Sequence, residues 1–479
     1  MTKNKSVFTK PISIILSLII VITSLSSAAV FTTSAAQTEG VISFDESFYL
    51  KNKDACDKVA DGIKNLEQHI DISDCKLSTG DVSELMYVVT YRNPGLFYVT
   101  GACSYYISGN YATVIVPKYS YSTSEIEEKQ QTLDSVIDKY LALVDNSMSD
   151  FQKAVILHDE LVLRTEYAYD PSMYNLLTEG KGQCIAYAFA YARLLSLVGI
   201  DSEIISSAKM NHAWLKVKID GEYYNVDPTW DDPIADKPGH VQHTYFLYSD
   251  EAFQSGTNFS AHTDYESYYP ATSKKYDNYD MLHRLNTRLC YSDGTFFAID
   301  NKYKSEYEKC MIKYDETNDS ATVVNKFNAR WSAGGTSYWI GGYMSLDECD
   351  KILYCNTDNK IYYYDIKTGE LNEYTTDAEL NGKCYGLLIK DNQVYAVIAD
   401  NPNTTASLVL AGDCIKREPD VILGDVNGDG VLTIADATLI QKYLANIVSL
   451  DSKQLAAADV NQDGTIDVID VTKIQMSLV

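Results

Sequence analysis

A multidomain α+β chain is predicted, and three observations carry that prediction. Residues 180–233 place a strongly apolar helical stretch before two alternating runs joined by Asp220-Gly221, the pattern of a helix followed by an antiparallel hairpin. Residues 278–416 repeat a polar turn, a short apolar run and often an aspartate. Residues 425–436 and 459–470 are copies of one acid-rich loop, each running into a helical stretch. The expected divisions are a leader (1–36), an α/β lead-in (37–149), a mixed core (150–270), an all-β repeat region (271–418) and a small all-α module (419–479).

Length and composition agree with this division. The 479 residues suggest about three domains, and 46% hydrophobic residues allow a large core. Lys3, Lys5 and Lys10, an apolar run over 12–29, and Ser34-Ala35-Ala36 before Gln37 read as an export signal. No later run approaches the ~18 apolar residues of a membrane span. Removing the leader takes away three lysines and no acid, so the net charge goes from −26 to −29. Such a surface argues against nucleic acid and anionic lipid as partners. The ten cysteines are too scattered to read as a disulfide scaffold.

Within the lead-in, 55–70 and 83–91 read as helices. Residues 97–99, 105–107 and 112–116 read as short strands with a turn at Ser108-Gly109-Asn110, and 122–143 as a helix opened by a Ser122/Glu125 capping box. No chemistry is legible there, and a wall beside the site is the expected role.

The core is organised around residues 180–195. After Gly180-Lys181-Gly182-Gln183, the alanines 186, 188, 190 and 192 favour helix, and Tyr187, Tyr191, Leu194, Leu195 and Val198 make one buried stripe. Cys184 therefore starts a helix, where free amides and the helix dipole favour a thiolate. A buried thiol is the competing reading for the cysteine taken alone. His212 opens a strand that alternates as a half-buried strand should, and Asp227 ends its hairpin partner, so the two lie at one end of an antiparallel pair. A thiol, a base and an orienting acid on such elements suit nucleophilic catalysis. Trp214 and Trp230 are candidates to shield the site or to serve as aromatic core. His158, His240 and His243 lack zinc-ligand spacing with any cysteine, and no zinc is assigned.

Gly182-Gln183-Cys184, Asn211-His212-Ala213-Trp214, residues 226–233 (Val-Asp-Pro-Thr-Trp-Asp-Asp-Pro) and residues 243–247 (His-Thr-Tyr-Phe-Leu) together resemble the transglutaminase-like superfamily, within the papain-like cysteine-enzyme fold. The resemblance covers about residues 150–250. It implies Cys184 as nucleophile, His212 as base, Asp227 as orienting acid, and acyl transfer through a thioester on peptide or amide bonds with no catalytic cofactor. The oxyanion would be met by the Cys184 amide, with the Gln183 side chain as a second candidate. Related sequences often carry Glu-Gly-Tyr after the cysteine, where this chain has Ile185-Ala186-Tyr187.

The β region, through runs such as 291–300, 359–369 and 391–398, is similar to propeller blades or a sandwich. Its length holds only three to four blades of about 40 residues, too few for an expected closed propeller. Its tyrosines suit carbohydrate or peptide contact as well as ordinary strand packing.

In the terminal loops, Asp425, Asn427, Asp429, Thr433 and Asp436, and then Asp459, Asn461, Asp463, Asp467 and Asp470, fall at ligand positions 1, 3, 5, 9 and 12. Val431 and Thr465 offer the position-7 carbonyl, and Gly430 and Gly464 take the tight turn. This is the EF-hand calcium pattern, twice, for two ions. The pair closely resembles a type I dockerin, which implies a cohesin of a cellulosomal scaffoldin as partner. Recognition would fall on Ile434, Ala435, Gln441 and Lys442, and on Val468, Ile469, Gln475 and Met476.

The resulting expectation is a papain/transglutaminase-like core, an all-β repeat region and a calcium-binding dockerin in a secreted, cellulosome-associated cysteine enzyme. Its substrate would be a protein or peptide, with cell-wall or plant-wall polymers also considered. The alternatives are a non-catalytic or carbohydrate-binding accessory protein and, behind it, a glycoside hydrolase, for which no carboxylate pair stands in a recognisable context.

Overall fold

The computed structural model describes residues 38–233, 236–256, 259–302, 308–376, 380–416 and 422–478; the expected leader lies outside the described residues. Helices and strands are mixed, and no sheet closes into a barrel among the described residues.

The lead-in has its own core. Helices Lys53–Lys64 and Val82–Arg92 pack on a sheet ordered Ile70–Asp71, Tyr111–Tyr119, Val99–Ser108, burying Val59, Ile63, Leu85, Met86 and Ile115. The first helix is shorter than the expected 55–70. Leu66 at φ 56° reverses the chain, and Ile70 returns as a strand residue against Gly62, where an added Cβ would lie 2.6 Å from Ile70 Cγ1. The expected short strands are two arms of one hairpin, ten and nine residues long. Helix Thr123–Leu141 begins with the Ser122/Glu125 capping box.

The central sheet is ordered Ile42–Ser43, Ser202–Ser207, His212–Ile219, Glu222–Val226, Phe246–Tyr248. Asp220 and Gly221, at φ 51° and 88°, make the tight turn between the middle strands. Helix Cys184–Leu197 packs on this sheet with Tyr187, Tyr191, Leu194 and Leu195 fully buried. Strand His212–Ile219 is buried on both faces, not one. Its polar positions survive burial because they are partnered: Lys216 Nζ reaches Asp250, Ser267 Oγ and the Tyr269 carbonyl.

Between Cys290 and Asp413 the chain forms antiparallel sheets of four, two, four and three strands. The first of these shares the central core: Phe296, Ala298, Cys310, Ile312 and Tyr314 belong to one buried cluster with Phe151, Leu157 and Tyr191, which crosses the expected 270/271 boundary. Polar ties hold the later sheets to the same helix, Asp150–Arg164. Arg288 bridges Glu160 at 3.2 Å and Asp347 at 2.7 Å, and Arg164 donates to the Ile389 carbonyl at 2.9 Å.

The C-terminal residues form helices Ile434–Leu444, Ser452–Ala458 and Val468–Ser477 around Val426, Ala437, Ile440, Ala458, Val471 and Ile474. The outer two start three residues before the expected 437 and 471, because Thr433 and Asp467 cap them in capping boxes closed by Asp436 and Asp470. The middle helix, between the loop copies, was not expected. Among the described residues no helix is long and apolar enough to cross a membrane.

Candidate functional site

Cys184 is the first residue of its helix. Gln183 precedes it in extended conformation, with no side-chain capping bond, and its amide donates to the Asp170 carbonyl at 2.7 Å. His212 opens the neighbouring strand, and its imidazole stands close enough to the Cys184 thiol that each shifts the other's pKa. Its Nε2 lies 2.6 Å from Asp227 Oδ2, which leaves Nδ1 for the sulfur. Asp227 is not the last strand residue but the N-cap of the short helix Pro228–Asp231. Its Oδ1 accepts from the Thr229 and Trp230 amides at 3.0 and 3.2 Å, so the cap fixes the carboxylate's orientation.

The electrostatics follow from this chain of contacts. Burial disfavours a Cys184 thiolate, but His212 and the amides of Ala213 and Ile185 outweigh it and lower the thiol's pKa. Burial likewise disfavours an imidazolium at His212, and Asp227 together with Cys184 overcomes it, raising the pKa to about 10. Asp227, itself fully buried, is held well below the usual carboxylate range by His212 and His262. These shifts run in the direction that favours a thiolate–imidazolium pair backed by a carboxylate. Trp230 stacks on His212 at 4.9 Å, and Trp214 is fully buried behind it at 5.8 Å.

His262 is the residue that sequence reading missed. Its Nε2 lies 2.9 Å from Asp227 Oδ2, the oxygen His212 uses. It sits in a loop 35 positions after Asp227 with no motif around it, so nothing local in the sequence announces the contact. The fold also gathers histidines that have no zinc-like spacing. His158 Nδ1 and His243 Nε2 each lie 2.9 Å from Asp159 Oδ1, and His158 Nε2 is 3.3 Å from Asp231 Oδ2. Two trios, His158/Asp159/His243 and His212/Asp227/His262, bring one side-chain nitrogen or oxygen from each residue within 4.8 Å of one another. His240 stands apart, its Nε2 on the Tyr385 carbonyl.

In the terminal loops the aspartates at positions 1 and 12 bond to amides of their own loop. Asp425 accepts from the amides of Gly428, Asp429 and Gly430, and Asp459 from those of Asp463 and Gly464. Asp436 and Asp470 reach back from position 12 to the amides of Asn427 and Asn461 at 3.0 and 3.1 Å. Gly430 and Gly464 hold φ of 82° and 84°, conformations that L side chains rarely adopt. An oxygen-only donor set rich in carboxylates suits a hard divalent cation such as calcium. Ile434, Ala435, Gln441, Lys442, Val468, Ile469, Gln475 and Met476 are all exposed.

Two parts of the chain match known families. Residues 139–228 match the transglutaminase-like superfamily, and residues 423–478 match the dockerin type I domain. No curated protein matches. Among solved structures, one described as a TGase is 13% identical, covering 27% of this chain and 44% of that one at a TM-score of 0.19. A candidate protease from Parabacteroides distasonis ATCC 8503 is 12% identical, covering 27% and 39% at a TM-score of 0.17. The chain thus spans less than half the length of either structure. It carries a transglutaminase-like domain and, at its C-terminal end, a type I dockerin domain.

Proposed function

We propose that this is a secreted cysteine enzyme that breaks peptide or amide bonds by acyl transfer, held on a cellulosomal scaffoldin by its dockerin. The observation that carries the reading is the series at a helix start in which Cys184 and His212 shift each other's pKa and His212 is hydrogen-bonded to Asp227. The Cys184 thiolate attacks the substrate carbonyl carbon. The oxyanion so formed is met by the Cys184 amide and, as a second donor, the Gln183 side chain. The His212 imidazolium gives its proton to the leaving nitrogen, the C–N bond breaks, and a thioester remains on Cys184. His212 then takes a proton from water, or from an incoming amine, as that nucleophile attacks the thioester and frees the thiol. Asp227 holds the ring in the orientation and tautomer this exchange needs.

The dockerin sets the place of action. Two calcium ions, one per loop, would be bound by Asp425, Asn427, Asp429, Val431, Thr433 and Asp436 and by Asp459, Asn461, Asp463, Thr465, Asp467 and Asp470. Bound there, calcium would supply the positive charge that lets these carboxylates and the capped helices after them be held together. The eight exposed residues on those helices would present the cohesin-binding faces, and a scaffoldin-bound enzyme would act outside the cell.

The test is a proteomic comparison of the calcium-loaded full chain with its Cys184→Ala variant on a mixture of extracellular proteins. New peptide termini made only by the wild type indicate hydrolysis, and new isopeptide cross-links indicate transfer to amines. Identical products from both proteins overturn the acyl-transfer reading.

A further inference from the structure

Asp227 Oδ2 accepts from two histidines, and the proposed reaction uses only one. His262 Nε2 lies 2.9 Å from this oxygen and His212 Nε2 lies 2.6 Å from it, while Oδ1 is taken by the Thr229 and Trp230 amides. The His262 ring is fully buried, stacked on Phe253 at 4.0 Å and packed against Trp230 at 4.4 Å and Trp214 at 4.8 Å. Its backbone amide is anchored on the Phe253 carbonyl at 3.0 Å. Its Nδ1 meets no hydrogen-bond partner among the described residues. The tautomer that fits therefore carries its hydrogen on Nε2 and donates it to Asp227.

We propose that His262 is a positioning residue for the Cys184 site, a second donor that fixes the Asp227 carboxylate and limits how strongly that carboxylate draws the His212 proton. A carboxylate oxygen shared between two N–H donors is a weaker base than one facing a single donor, and the surrounding rings exclude water that could substitute. The proton on His212 must be held firmly enough to keep the thiolate, yet released to the leaving nitrogen. A second donor on Asp227 moves the imidazolium toward release. It also keeps the carboxylate from swinging away from the His212 ring, since both oxygens are bound from two sides.

This inference rests on the acyl-transfer reading of Cys184, and its test is built to separate the two. The readouts are the rate of Cys184 alkylation by iodoacetamide against pH and the NMR titration of the His212 ring, both on the full chain, so that no substrate is needed. In His262→Phe the His212 midpoint should rise by about one pH unit, because Asp227 loses a donor and becomes the stronger base. His262→Asn, whose amide is too short to reach Asp227, should shift it similarly and serves if the phenylalanine variant does not fold. His262→Gln, whose amide nitrogen reaches about where the ring Nε2 does, should restore the wild-type midpoint. A midpoint that stays fixed or falls in the first two variants overturns the inference. A His262→Gln shift as large as that of His262→Phe also overturns it, because the missing ring rather than the missing donor would then be the cause. If instead wild-type Cys184 reacts no faster than a free thiol, the acyl-transfer reading itself fails.

Discussion

His212 Nε2 and Asp227 Oδ2 lie 2.6 Å apart, with the aspartate fully buried and the other side of the imidazole facing Cys184. The reactivity of the thiol should therefore depend on a charge one residue removed from it. In Asp227→Asn the His212 pKa should drop from about 10 toward or below its ordinary value, because burial then acts without the opposing carboxylate. Wild-type Cys184 should be reactive from its lowered pKa upward, and the ion pair should persist until pH rises through about 10. In the variant that plateau should vanish, leaving one rise at alkaline pH and an iodoacetamide rate at pH 6 lower by about 10-fold or more. Superimposable profiles would show that Asp227 does not govern the thiol.

Asp232 sits beside this site but does different work. Only 4% exposed, with the Tyr187 hydroxyl donating to it, its carboxyl is pushed up to about 8, chiefly by burial. An unfolded aspartate titrates near about 3.9, so between about pH 4 and 8 the unfolded chain gives up a proton that the folded chain keeps, and stability falls as pH rises. Asp232→Asn removes that dependence. Urea denaturation should find the variant more stable than wild type by about 1–3 kcal/mol at pH 8, and no more stable at pH 4. An equal difference at both values would assign the effect to packing.

What the sequence makes legible is local. The Ser122/Glu125 box, the Asp220-Gly221 turn, the helix that starts at Cys184 and the glycines of the terminal loops each depend on residues a few positions apart, and each stands where its pattern places it. The positions of His212 and Asp227 at one end of a hairpin follow from the same short-range logic. His262 is different, because its contact with Asp227 is made through a loop whose course is set by packing on Phe253 and Trp214. The convergence of His158 and His243 on Asp159 brings a histidine 84 positions away onto the neighbour of His158 and has no sequence period. Lys216 misleads for a related reason: it reads as the solvent side of an alternating strand, yet it is buried with Asp250, Ser267 and Tyr269 as partners.

The continuity of the core into the first β sheet makes Arg288 a joint. Its guanidinium is 11% exposed and joins Glu160 on the central helix to Asp347 in the later sheets, both nearly buried themselves. Arg288→Ala would leave the nearly buried Asp347 without its ion-pair partner and Glu160 with Arg164 alone, and breaking such a buried pair typically costs about 3–5 kcal/mol. Thermal unfolding of the full chain should show the central core and the β sheets destabilised together. A loss confined to one transition, with the other unmoved, would mean that the two parts do not stabilise each other through this residue.

The terminal loops give the last prediction its sign. Asp425, Asp429 and Asp436 in the first loop, and Asp459, Asp463 and Asp470 in the second, accept from backbone amides of their own loop, and a bound cation would add its attraction to those bonds. Calcium at a hundredfold excess over its dissociation constant should stabilise each loop by about 2.7 kcal/mol. Calorimetry of the full chain should therefore show a C-terminal transition that moves up with calcium and down with EDTA, while the transition of the Cys184 domain stays in place. Replacing both position-1 aspartates, Asp425→Ala with Asp459→Ala, should abolish the calcium response and, with it, cohesin capture. A melting profile that ignores the chelator would show that the loops close on their own hydrogen bonds, and the position-12 aspartates would then act only as the helix-capping partners of Thr433 and Asp467.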